Sequence, residues 1–106
     1  MSLTKTRFKQ RLTKTKFKKW LQSKKPNSII GIARYACDCP IAFYLENVNS
    51  RSITVCYDAY YETTPLSPIF YSLPLWAIKF IDKIDEAPMG HKISAKKALT
   101  ILEQIK

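Results

Sequence analysis

A chain of 106 residues, 46% of them hydrophobic, is long enough to bury one modest core, too apolar to be disordered and too short for a comfortable second domain. Its net charge of +10 is not spread evenly: residues 1–25 carry ten cations and no carboxylate, while the eight cations of the remainder are matched by eight acids. The longest uncharged apolar stretch, residues 63–78, is broken by Pro65, Pro68 and Pro74, which excludes a membrane-spanning helix there, and the first residues, lacking an apolar run, are not expected to act as a secretory signal.

The first nineteen residues contain a repeat, Leu3-Thr-Lys-Thr-Arg-Phe-Lys9 and then Leu12-Thr-Lys-Thr-Lys-Phe-Lys18, offset by nine. At about 100° per residue that offset is two and a half turns, so Phe8 and Phe17 would face opposite sides of one continuous helix. One core cannot take both rings. Residues 1–12 therefore read as a basic arm, flexible or helical on binding, and residues 13–106 as a single domain.

The first packed helix is expected from Thr13 to Ser23. Thr13 is the N-cap, Leu12 and Phe17 occupy the two positions of a hydrophobic staple, and Phe17, Trp20 and Leu21 form the inward stripe. Lys14, Lys16, Lys18 and Lys19 are then expected on the opposite side. Pro26-Asn27-Ser28 ends this element. Residues 29–36 are apolar and short; a helix capped by Ser28 is favoured slightly over a strand at Ile29–Ile32. A clearer helix opens at Pro40, capped by Asp38 or Cys39, and runs to Glu46 with a turn at residues 47–50.

Residues 52–61 read as one strand from the alternation of Ile53, Val55, Tyr57 and Ala59, with Ile69–Leu73 or the Ile29 segment as its partner. Pro74 opens a third helix to Glu86 whose apolar stripe is wide enough for a central core helix or for a second subunit. After a turn at residues 87–90, Ser94 caps a last helix with Ala98, Leu99, Leu102 and Ile105 inward. The fold expected is a small single α+β domain of about four helices with a short β-hairpin or a two- to three-stranded sheet.

Basic residues crowded at one end are the electrostatic footprint of a polyanion binder. The candidate nucleic-acid contacts are Lys5, Arg7, Lys9, Arg11, Lys14, Lys16, Lys18 and Lys19, each neutralising a phosphate, with Phe8 or Phe17 available to stack. The bland alternative is that terminal lysines serve solubility. An anionic membrane surface is not expected, because Phe17, Trp20 and Leu21 make too small an apolar face. A second, weaker anion site is expected where Ser94 opens the last helix, combining Lys96, Lys97 and free backbone amides.

Residues 29–48 have the outline of a helix-turn-helix, yet its second helix offers no side chain for reading base edges before Asn47. Cys37, Cys39, Cys56 and the single His91 lack the spacing of a zinc motif, so no metal or cofactor is expected. An odd cysteine count favours a reducing compartment, and the cytoplasm is the expected location. Cys39, at a helix N-terminus near Arg34, is a candidate low-pKa thiolate. Tyr57, Tyr60, Tyr61 and Tyr71 are stacking candidates, with Tyr60 on the face opposite Tyr57 and Tyr61.

With one histidine, two glycines and no phosphate loop, catalysis is not expected. Two functions remain: nucleic-acid binding through the basic segment, or a protein-interaction or inhibitor module, or homodimer, using the apolar 74–86 helix and the tyrosine-rich strand.

Overall fold

The computed structural model describes residues 12–35, 37–49, 52–56, 58–63 and 70–105. Among them the chain forms α1 (Lys14–Gln22), β1 (Ile29–Ile32), α2 (Pro40–Asn49), β2 (Ile53–Val55), β3 (Ala59–Glu62), β4 (Tyr71–Ser72), α3 (Leu75–Ile84), β5 (Lys92–Ser94) and α4 (Ala95–Gln104). This is an α+β fold with two small antiparallel sheets, ordered β1-β5 and β2-β3-β4. No helix among the described residues is long and apolar enough to cross a membrane.

α1 starts as the staple dictates. The Thr13 hydroxyl accepts from the Lys16 amide at 3.3 Å, and Leu12 and Phe17 are both buried. Leu12, assigned to the arm from its sequence, is thus a core residue. Phe17 is the hub of the core, with ring centroids 5.2 Å from Tyr44, 5.3 Å from Phe80 and 5.8 Å from Trp76. Burying such a side chain stabilises the fold by roughly 2–3 kcal/mol, which ties α1 to α2 and α3 at one point.

Residues 29–32 form a strand and not the favoured helix. Ile29 pairs with Ser94, Gly31 with Ile93 and Ile32 with Lys92, and the β5 partner sits some sixty positions away where periodicity shows nothing. With β1 extended, the helix-turn-helix outline is not present. The β1 backbone also lies so close to α2 that a Cβ on Gly31 would stand 2.5 Å from Pro40 N, 2.7 Å from its Cδ and 2.8 Å from its Cα. Only glycine allows that approach.

The expected turn at residues 47–50 is helical as far as Asn49, because Val48 packs against the core and the buried Asn49 side chain donates from Nδ2 to Leu45 O at 2.9 Å. Residues 52–61 are not one strand but two. β2 and β3 pair in the register Ile53–Glu62, Thr54–Tyr61 and Val55–Tyr60, and the Cys56 amide closes the intervening turn on Ala59 O at 2.7 Å. Asp58, a turn former, is the residue the alternation overran. β4 then adds to β3 from within the expected Ile69–Leu73 partner, although Ile69 itself, like Tyr57, lies outside the described residues.

Beyond Ile32 the chain reverses through Arg34 in the left-handed region, at φ 68°. Such a conformation costs about 1 kcal/mol or more for a side chain with a Cβ. Asp85, at the end of α3, offsets it: its carboxylate accepts the Arg34 amide at 3.0 Å, and its carbonyl accepts Arg34 Nε at 2.9 Å. Of the acids Asp82, Asp85 and Glu86 near the C-terminus of α3, Asp85 therefore has a structural task.

Candidate nucleic-acid interface

α1 and α4 pack side by side and antiparallel, which decides where the lysines go. The Lys14 ammonium donates to Ile105 O at 2.6 Å, and the Lys18 ammonium stands 4.0 Å from the Glu103 carboxylate. These two lysines occupy the flank of α1 against α4, not the outer side. Lys14 acts as a cationic cap on the last carbonyls of α4, where the helix dipole favours positive charge. Lys16 and Lys19 are exposed as expected. Lys5, Arg7, Lys9 and Arg11 lie outside the described residues.

At the other end of the same pair, the Lys96 amide donates to Pro26 O at 3.0 Å and the Ala95 amide to Ser28 O at 2.9 Å. This contact brings the start of α4 against the segment that follows α1. Exposed Lys96 and Lys97 thus begin a helix whose backbone is joined to Pro26, the residue after exposed Lys25, although some seventy residues separate them in the chain. The same hydrogen bonds revise the second anion site. With the Lys97 amide on Ser94 Oγ at 3.1 Å, all three leading amides of α4 already have partners inside the protein. What Ser94, Lys96 and Lys97 offer an anion is ammonium charge alone.

Beside the lysines lies an aromatic pair that the sequence reading missed. Trp20, on the flank of α1 toward α2, meets Phe43 edge-on at 6.3 Å between centroids, and Phe43 keeps 39% of its surface exposed. Lys24 Nζ rests 5.1 Å from the Trp20 ring centroid. A cation over an exposed ring contributes about 0.5–1 kcal/mol, against roughly 1–3 kcal/mol for a nucleobase stacked on an aromatic side chain. Trp20 Nε1 is buried without a hydrogen-bond partner, so ring packing and the Lys24 ammonium, not a hydrogen bond, hold the indole. The signal for Phe43 was available: with Ile41, Tyr44 and Leu45 inward on α2, the helical period turns Phe43 outward.

Comparison with family models, with curated proteins and with solved structures returned no match to this chain.

The tyrosines divide as strand alternation requires. Tyr60 is buried and stacks on Tyr71 across the ladder at 5.3 Å, while Tyr61 pairs on the other face with Phe70 at 4.7 Å. Tyr60 and Tyr61 cannot form one surface. Among the described residues, no three of His, Cys, Asp or Glu converge in a way that would hold a metal ion.

Cys39 caps α2 through its carbonyl, which accepts the Phe43 amide at 2.9 Å, but its thiol is no activated nucleophile. Burial pushes the thiol from its ordinary 9.0 up to about 11, outweighing the lowering effect of the Ala42 and Ile41 amides, with smaller upward pushes from Asp85 and Asp38. The folded protein thus holds this proton more tightly than the unfolded chain. The resulting stabilisation, at most about 2–3 kcal/mol, is complete below about pH 9 and is lost as pH rises through about 11. Iodoacetamide at pH 8 is expected to alkylate exposed Cys37 in the native protein at least a hundredfold faster than Cys39. Stability measured by urea should fall between pH 9 and 11, with a shallower slope in Cys39→Ala. Comparable labelling rates at the two thiols would overturn the assignment.

Proposed function

We propose that this chain is a non-enzymatic protein that binds nucleic acid through the phosphate backbone, using residues 1–25 together with the lysines at the start of α4. The supporting observation is the contact of the start of α4 with residues 26 and 28, which brings the helix turn bearing exposed Lys96 and Lys97 against the end of the basic segment. Each ammonium group neutralises a phosphate and releases a counterion, so affinity is electrostatic and largely independent of sequence. Glu103 sets a carboxylate against Lys18 on the α4 flank of α1. Three free thiols fit a reducing compartment, and the cytoplasm is the location this reading assigns.

Fluorescence anisotropy of a labelled mixed-sequence oligonucleotide tests the proposal on the full chain. Replacing Lys5, Arg7, Lys9 and Arg11 by glutamine is expected to weaken binding at least tenfold while leaving the unfolding midpoint unchanged. Unchanged affinity would remove those residues from the interface.

A protein-partner reading has its own support in the exposure of Leu75 (65%) on the outer side of α3 and of Phe70 (60%) beside Tyr61. Binding to a protein surface through those residues would be indifferent to the lysines.

A further inference from the structure

We infer that the Trp20–Phe43 pair is a stacking platform for an unpaired nucleobase, so that the nucleic acid this surface prefers is single-stranded. The inference rests on the polyanion reading above and specifies its substrate. Lys16 lies one helical turn before Trp20 on α1, and Lys24, just beyond the end of α1, sets its Nζ over the indole. Phe43 continues the aromatic surface onto α2 and leaves a ring open to solvent beside the indole that Lys24 covers.

An apolar protein partner would meet the Lys24 ammonium at that pair. A single strand supplies what the surface lacks, a flat π-face with phosphates on either side of it. Lys24 covers the indole through an interaction weaker than base stacking, so an incoming base displaces the ammonium onto the neighbouring phosphate. A duplex keeps its bases stacked on one another and offers the pair only its backbone.

The test uses the full chain and three probes: a thymidine oligonucleotide, a duplex of the same length, and inorganic polyphosphate as a polyanion without bases. Phe43→Ala is expected to weaken single-strand binding about tenfold and to leave polyphosphate binding within about twofold, while Phe43→Tyr, which keeps a ring, restores single-strand affinity. Quenching of Trp20 fluorescence by the oligonucleotide and not by polyphosphate, read in a Trp76→Phe background, gives a second measure. Equal losses for oligonucleotide and polyphosphate in Phe43→Ala, or no loss at all, would overturn the stacking platform and leave polyanion binding standing. Failure of the unaltered chain to bind any of the three probes at low salt would overturn both.

Discussion

Replacing Gly31 with alanine is expected to destabilise the domain by about 3 kcal/mol or more, a large share of what a domain of this size possesses. The cause is steric and sits in the backbone. The new Cβ would stand 2.5–2.8 Å from three atoms of Pro40, none of which is the far end of a flexible side chain. Relief requires β1 to move off the start of α2, which breaks the Ile32 amide bond to Asp38 O at 2.7 Å and strains the pairing with β5. The melting temperature should drop by more than about 10 °C. Gly90→Ala is the matched control. Gly90 has a φ of 83° but its nearest neighbour to a Cβ is the Tyr35 hydroxyl at 3.7 Å, so only backbone strain of about 1 kcal/mol is expected. Equal effects at the two glycines would mean that β1 and α2 are not packed as described.

Reversing the charge of Lys16 and Lys19 together, as Lys16→Glu with Lys19→Glu, is expected to lower affinity for nucleic acid roughly a hundredfold at 0.1 M salt. Both side chains are exposed, and neither enters an ion pair or hydrogen bond described for the protein, so the unfolding midpoint should move by less than about 0.5 kcal/mol. Separation of binding from folding makes this pair more informative than Lys14 or Lys18. Lys14→Glu would remove a cap from α4 and set a carboxylate against the carbonyl of Ile105. Its loss of binding would then be mixed with loss of structure. Retention of full affinity in the Lys16/Lys19 variant would move the interface off α1.

The parts of this fold legible in the sequence were those whose signals are local. Thr13, Leu12 and Phe17 define the start of α1 within six residues, and Ser94 defines the start of α4 in the same way. β1 was misread because an apolar run of four residues carries no decisive period, and the strand exists through its partner β5. Its one clue was Gly31, whose absence of a Cβ matters only once Pro40 lies against it. The hairpin of β2 and β3 was hidden by an alternation that continued through the turn at Asp58. Charge was equally informative in part: the excess at residues 1–25 is plain from composition, yet the approach of the turn bearing Lys96 and Lys97 to its end depends on the contact of the start of α4 with residues 26 and 28. The pairing of Arg34 with Asp85, 51 positions apart, has no sequence signature at all.

All of the functional account turns on ammonium groups meeting phosphates, and the salt dependence of binding reads that contact without altering the protein. For the full chain and a single-stranded oligonucleotide, roughly six to eight phosphate contacts correspond to a slope of about −4 to −6 in a plot of log affinity against log salt concentration. The Lys16/Lys19 variant, having lost two contacts, should lose about 1.4 from the magnitude of that slope. A slope near zero in the unaltered chain would contradict the account, because no release of counterions would then accompany binding.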